Sequence, residues 1–389
     1  MPTPHSTGDP QPPHFSRPAW AGIDLEALQS NVRELSRVLE PSTGILAVIK
    51  ANAYGHGAVP IARALLDQTS TSPSSRVQML CVASVDEGLQ LRAAGIAAPI
   101  LLLSAILPDE AYSAVAARLT PTVFTRELAA ALDAAGGVLG CVAEAHLKID
   151  TGMGRLGIWH CEAPAFYASL QEYSRLRVTG IYTHFACADE PVDAMTTVQS
   201  AAFQSALREC CITESSASGR SVIHACNSAA LLRYPQAHGD CVRPGLALYG
   251  VLPTATSGTG LRPVMTLKAR LTSVKTVAVG ATISYGATWR AQRPSCIATV
   301  PVGYADGYPR SLSNRAQVLV RGTLCPLVGR VTMDQILIDC TNLVPNVEVG
   351  ESVTLFGSDL PVADVAAWAG TIPYEILCGI APRVPRVYV

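Results

Sequence analysis

Between Leu25 and Gly250 the chain repeats one rhythm, and that rhythm leaves few folds open. Apolar runs of strand length occur at Gly44–Ile49, Gln78–Ala83, Pro99–Ser104, Thr120–Phe124, Ala143–Ile149, Val178–His184, Ser221–Ala225 and Cys241–Tyr249. Helical stretches separate them, among them Leu25–Leu39, Val59–Gln68, Val85–Ala94 and Arg126–Ala135. The runs are continuous rather than alternating, as expected of strands buried on both faces of a parallel sheet. Eight such strands with intervening helices predict an α/β fold, a (β/α)8 TIM barrel over residues 25–252. Catalytic groups in that fold sit at the C-terminal strand ends. Lys50, Arg155, His184 and Asn227 with Ser228 all follow such runs closely.

Leu252–Arg262 has a linker composition, with Pro253, Thr254, Thr256, Ser257, Gly258, Thr259 and Gly260. Beyond it, β-branched runs at Leu267–Val277, Cys296–Val302, Gln317–Arg321, Cys325–Val331 and Ser352–Phe356 predict a C-terminal mainly-β domain over residues 261–389. Two domains suit 389 residues, a length generous for one core.

Residues 1–17 are rich in Pro, Ser, Thr and His and carry neither an apolar h-region nor a cationic start, so they read as a disordered tail rather than a secretory signal. No run approaches the ~18 apolar residues of a membrane span. With 29 basic and 30 acidic residues, no global field exists to hold nucleic acid or an anionic membrane. The 12 cysteines are scattered and include no CxxC pair, so neither a zinc site nor a disulfide framework is expected, and no metal. Reduced thiols and a cytoplasmic location are the reading.

Gly44-Ile45-Leu46-Ala47-Val48-Ile49-Lys50-Ala51-Asn52-Ala53-Tyr54-Gly55-His56-Gly57 ends an apolar strand on a lysine. Desolvation there favours a neutral amine, able to attack a carbonyl and form a Schiff base. Tyr54 and the two glycines would open the next loop, where backbone can approach a phosphate. On these residues alone, a lysine that snorkels into water is an equal alternative. His56, flanked by glycines, reads as a structural hydrogen-bonding residue.

The segment Ile49–Gly57 resembles the pyridoxal-phosphate lysine segment of alanine racemases. Further motifs follow in the family's order: His146–Gly157, Thr183-His184-Phe185, His224–Ser228, Arg243-Pro244-Gly245-Leu246, Ile283–Trp289, Val302–Tyr308, Gly329–Asp334 and Tyr374–Leu377. The chain is thereby identified as a member of that family from about Trp20 to its C terminus. The resemblance implies pyridoxal 5'-phosphate as cofactor and the β domain joined by residues 18–24, which hold Ala19–Ile23.

The implied chemistry is two-base racemisation of L- and D-alanine, the D-form supplying peptidoglycan. Lys50 serves one face of the substrate and Tyr285 the other. A phenol needs help to act as a base near neutrality, and a relay through His184 and Arg243 is implied to supply it. Arg243 also implies an unprotonated cofactor ring nitrogen, since a guanidinium cannot accept a proton. Tyr54, Asn227, Ser228, Gly245, Leu246 and Tyr374 match the cofactor-binding residues. Arg155 and Met333 match the substrate-binding residues, with Arg155 also on the cofactor's phenolic oxygen. Lys148 matches a lysine that many members carry as a carbamate, so carbamylation or a chloride ion is implied beside Arg155, and Asp334 and Tyr304 match residues that line the entrance or substrate pocket.

The implied assembly is a homodimer whose active sites are composite, each β domain completing the partner's site. A racemase for serine or for a broader set of amino acids is the alternative, because pocket volume separates substrates by only ~1–3 kcal/mol per methylene. A non-catalytic cofactor carrier lacks the β domain with its Tyr285, and related decarboxylases are expected to set an acidic residue where Arg243 stands.

Overall fold

The computed structural model describes residues 17–67, 76–190, 194–211, 221–252 and 260–389. The expected tail falls almost wholly outside these residues, and so does most of the expected linker. Contacts divide the chain into two compact units, residues 25–262 and the remainder.

The first unit is built on a parallel sheet in the order Ile100–Leu102, Val77–Val82, Gly44–Val48, Cys241–Val242, Val222–His224, Leu176–Tyr182, Ala143–Asp150 and Thr122–Val123. Thr120 closes the circle. Its N–H donates to Ile100 O at 2.8 Å, and its carbonyl accepts from Leu102 N at 2.9 Å. The eight apolar runs are thus the eight staves of a (β/α)8 barrel. The Gly44–Val48 strand is buried at every position, as a strand sandwiched between barrel interior and helices must be.

Helix starts follow local capping chemistry. Ser84 and Thr125 accept from Glu87 N and Leu128 N, each at 3.3 Å, and so open the helices Val85–Ala93 and Arg126–Leu139. One strand is much shorter than expected: in Cys241–Tyr249 only Cys241–Val242 is extended, and Leu246–Tyr249 forms a 3-10 turn. Pro244 has no N–H to offer a ladder, so the strand cannot run through it.

The second unit holds a six-stranded sheet in the order Thr323–Pro326, Gln317–Val320, Ser352–Phe356, Met265–Arg270, Ala19–Ile23 and Arg386–Tyr388. Ala19–Ile23 pairs antiparallel with Met265–Arg270 along its whole length. A three-stranded sheet joins Ser273–Val277, Ser295–Val300 and Ile336–Asp339. The single run expected over Leu267–Val277 is therefore two strands in two sheets, broken at Leu271-Thr272. Of the run expected over Cys325–Val331, the strand ends at Pro326, and beyond it Leu327 makes an isolated bridge to Ile338. Two helices absent from the sequence reading, Val362–Ala369 and Pro373–Gly379, follow, the second opened by proline at its first position.

Candidate active site

Lys50 stands half-buried immediately after the Gly44–Val48 strand. The segment beyond it is a left-handed turn: Ala51, Asn52, Ala53 and Tyr54 have φ of 53, 54, 55 and 52°. L-residues resist this hand at ~1–2 kcal/mol each, so the surroundings must impose it. Ala53 N–H donates to Ile49 O at 2.8 Å, and Asn52 Oδ1 accepts from Ala58 N at 2.8 Å. Glu87 bridges the turn to the next strand, accepting from Ala51 N at 2.7 Å and Ala83 N at 2.6 Å. His56 is fully buried, its Nδ1 lying 2.8 Å from Ala53 O, with its ring stacked on Tyr249 at 4.3 Å. It is a structural residue, as read from sequence.

The turn delivers Tyr54 to Gly245. A Cβ at residue 245 would lie 2.4 Å from the Tyr54 hydroxyl oxygen, so only glycine admits the tyrosine. Ser228 completes the cluster, its Oγ accepting from Gly245 N at 2.9 Å and Ala247 N at 3.3 Å. Asn227 caps the helix that starts at Ser228, accepting from Ala230 N at 2.9 Å. Gly245 and Leu246 open the 3-10 turn, whose first N–H groups have no carbonyl of their own helix. Two hydroxyls and helix-opening N–H groups, with no carboxylate among them, make a donor set that fits a phosphate.

Arg243 is buried and organises the neighbouring rings. Its Nη2 donates to Thr183 O at 2.7 Å, Ala225 O at 2.8 Å and His184 Nδ1 at 3.2 Å. Its Nη1 donates to His224 Nδ1 at 2.6 Å, and the guanidinium lies 5.0 Å over the Tyr182 ring. Nε has no acceptor among the described residues. A cation facing a cofactor ring nitrogen from this position would leave that nitrogen unprotonated.

Behind Arg243 the network runs on. His224 Nε2 lies 3.0 Å from His146 Nδ1, and the His224 ring stacks on Tyr182 at 4.8 Å. Tyr182 in turn bonds Thr122 Oγ1 at 2.7 Å. His146 fits because position 180 is glycine, where a Cβ would meet the imidazole at 2.5 Å. Burial first and the Arg243 charge second push all three histidines down, His146 to about 3 and His184 and His224 well below the usual imidazole range. They are neutral at neutral pH.

Lys148 is 3% exposed, beside Tyr182 with Nζ 5.4 Å from the ring centre. Burial, followed by the Arg155 and Arg243 charges, pulls it down to about 8. No carboxylate is ion-paired with it among the described residues, and Arg155 itself is exposed. Asp150 shapes the Arg155 loop, accepting from Gly152 N at 2.9 Å and Gly154 N at 3.1 Å. Gln199, fully buried, donates to His184 O at 3.0 Å and accepts from Ala186 N at 2.9 Å.

Tyr285, Met333 and Tyr374 belong to the other unit. Tyr285 is 71% exposed between Ser284 and Gly286, both at positive φ, and Ser284 Oγ donates to Arg330 O at 2.7 Å. Met333 is 54% exposed, its carbonyl accepting from Ala305 N at 3.0 Å, and Thr332 O accepts from Tyr304 N at 3.0 Å. Tyr285, Tyr304 and Met333 therefore stand on loops tied to one segment, Arg330–Met333. Asp334 is paired with Arg383 at 2.7 Å, and Tyr374 sits half-buried in the first turn of Pro373–Gly379.

Sequence reasoning passed over Glu87, Gln199, Tyr182 and the roles of His146 and His224. For His146 the signal was present: His146, Lys148 and Asp150 occupy every second position of one buried strand and so share a face.

Comparison with known proteins bears on the whole chain. Residues 23–253 match the family model "Alanine racemase, N-terminal domain" and residues 264–388 "Alanine racemase, C-terminal domain". A protein named alanine racemase from Desulfovibrio desulfuricans is 44% identical over 378 residues, covering 96% of this chain and 99% of that one. Another from Symbiobacterium thermophilum is 44% identical, covering 96% and 97%. Among solved structures, alanine racemase from D-cycloserine-producing Streptomyces lavendulae superposes with a TM-score of 0.87 at 36% identity, covering 97% and 98%. The Bacillus anthracis enzyme with bound L-Ala-P gives 0.86 at 36%, covering 97% and 96%.

Proposed function

The chain belongs to the alanine racemase family, and on that premise we propose that it interconverts L- and D-alanine with pyridoxal 5'-phosphate, in cytoplasmic homodimers whose active sites draw on both subunits. The observation that carries the reading is Arg243, buried and held as a fixed cation by four neutral acceptors. Bound pyridoxal phosphate supplies an electrophilic carbonyl and a conjugated ring that acidifies the α-proton of an amino acid.

Tyr54, Ser228, Gly245 and Leu246 hold the phosphate in this reading, and Tyr374 contributes to the same shell. Lys50 would anchor the cofactor and would move a proton at one face of the α-carbon. The partner's Tyr285 moves a proton at the other face, with His184 as the relay that assists its phenol. His184 Nε2 carries a hydrogen, because Nδ1 is occupied by Arg243, so the imidazole can donate to a phenolate. Arg155, with the backbone N–H of the partner's Met333, grips the substrate carboxylate.

Arg155 needs an anion beside it, and Lys148 supplies one as a carbamate. A buried amine held near pH 8 keeps a neutral fraction that can add carbon dioxide. The exposure of Tyr285, Tyr304 and Met333 on adjoining loops supports a subunit contact there. D-alanine leaving the enzyme feeds peptidoglycan, and twelve free thiols suit the cytoplasm.

A chiral assay of the purified dimer, with cofactor added, against L-alanine, D-alanine, L-serine and larger amino acids tests the function. Alanine turnover in both directions at the highest kcat/KM is expected. Serine exceeding alanine, or no racemisation of either, overturns the assignment.

A further inference from the structure

Cys296, Cys340 and Cys325 stand in one row across three strands of the β unit. The Ser295–Val300 strand pairs antiparallel with Ile336–Asp339, Ile297 opposite Asp339. One step further Cys340 N–H donates to Cys296 O at 2.8 Å, while Cys296 N–H turns to Thr341 Oγ1 at 2.9 Å, so the two cysteines face each other where the ladder ends. On the other flank Leu327 pairs antiparallel with Ile338, and Val328 N–H donates to Leu337 O at 2.9 Å. Continued two residues, that register sets Cys325 opposite Cys340 at a non-hydrogen-bonded position. Cα atoms there are about 4.5 Å apart, inside the range a disulfide spans. The side chains agree, since each of the two thiols is close enough to shift the other's titration.

We propose that Cys325 and Cys340 form a redox-sensitive dithiol, which a small peroxide closes into a disulfide across the neck of the hairpin that carries Arg330, Met333 and Asp334. Both are thiols in this structure. Cys325 is buried, but its strand, Thr323–Pro326, is the edge strand of the six-stranded sheet, where local opening costs least. A peroxide is small enough to reach it.

The two sulfurs have different parts. Cys340 beside it draws the Cys325 thiol down, Cys325 and then burial push Cys340 up, and Cys325 lies on the edge strand Thr323–Pro326, so Cys325 supplies the thiolate. Its sulfur attacks one peroxide oxygen, the O–O bond breaks, and hydroxide leaves to take a proton, giving a sulfenic acid at Cys325. The Cys340 sulfur then attacks that sulfenic sulfur, the S–O bond breaks, and water leaves with the Cys340 proton. Two thiols and one peroxide become one disulfide and two waters. Cys296, on the far flank of Cys340 from Cys325, is the spectator. The proposal rests on strand register and not on the reaction assigned above.

The test is peptide mapping of the full wild-type chain after graded hydrogen peroxide, denaturation and alkylation. A linked Cys325–Cys340 peptide is expected, lighter by two hydrogens and released by dithiothreitol. The same link is expected in Cys296→Ala, and in Cys325→Ala a Cys340 that stays alkylatable. Cys325 and Cys340 both still alkylatable once the exposed Cys141, Cys161, Cys211 and Cys378 are oxidised would overturn the proposal. So would a Cys296–Cys340 link, or sulfinic acid at Cys325 without any link. Because the decisive map is made on the wild-type chain, a misfolded variant cannot mask the result.

Discussion

Arg243 Nη2 donates to His184 Nδ1 across 3.2 Å, and this one contact fixes where the imidazole keeps its proton. A guanidinium has no acceptor, so Nδ1 must be bare and Nε2 must carry the hydrogen. The same logic passes through the other arm. Nη1 bonds His224 Nδ1, leaving His224 Nε2–H to donate to His146 Nδ1. One cation thereby sets the tautomer of three rings.

These rings should make the fold sensitive to acid. All three are held below the ordinary imidazole range, whereas in the unfolded chain they take up protons near pH 6.5. Below that pH the unfolded state binds more protons, so stability falls as pH drops, with a limiting slope of about 4 kcal/mol per pH unit for three groups. The urea midpoint is expected to fall steeply between pH 6.5 and 5, and less steeply in His146→Gln. A flat midpoint over that interval contradicts the neutral triad.

Lys148 extends the same rising trend into alkali. Its amine is held at about 8 against 10.5 in a model peptide, so between those values the unfolded chain holds a proton that the folded chain has released. In protein stripped of carbon dioxide, stability is expected to rise over that window by up to about 1.4 kcal/mol per pH unit, and Lys148→Met should remove the rise. Adding ¹³C-bicarbonate should give a carbamate carbon signal that Lys148→Met lacks. Its absence in the wild-type chain sinks the modification.

Gly245→Ala would drive a methyl group to 2.4 Å from the Tyr54 hydroxyl oxygen. The turn that carries Tyr54 must yield, and cofactor affinity is expected to weaken by about tenfold or more, at least 1.4 kcal/mol. Equilibrium dialysis of pyridoxal phosphate against wild type and variant measures it. Equal affinities would remove residue 245 from the phosphate site.

Subunit mixing tests the composite site. Lys50→Ala and Tyr285→Phe should each be inactive, but exchanged in equal amounts about half the dimers are mixed and carry one site with both bases. Recovery near a quarter of wild-type activity is expected. Demonstrated exchange without recovery, or a monomer at assay concentration, would be incompatible with sharing.

The barrel was legible because its strands are uninterrupted apolar runs, a pattern that only a doubly covered strand requires. The strand entering Arg243 was overread, since Leu246–Tyr249 is as apolar as a strand yet coils into a 3-10 turn behind Pro244. Glu87 and Gln199 were invisible for a different reason: a polar residue on a helix looks like a solvated face, and only tertiary structure turns it toward the Lys50 turn or the His184 loop. For the β unit, strand propensity flagged the runs but not the break at Leu271-Thr272, which sends one run into two sheets.

The left-handed turn after Lys50 has a consequence for the order of events in folding. Ala51, Asn52, Ala53 and Tyr54 are wound against the hand their chirality prefers, so the segment gains nothing by forming alone and cannot seed its surroundings. It must be clamped late, once Glu87, Asn52 and the Ile49 carbonyl are in place. On refolding, capacity to capture pyridoxal phosphate should trail the recovery of barrel circular dichroism, and simultaneous recovery would argue that the turn is formed early after all. The cofactor site is then completed only in a finished barrel, so that capture of pyridoxal phosphate marks the end of that unit's folding and not its beginning.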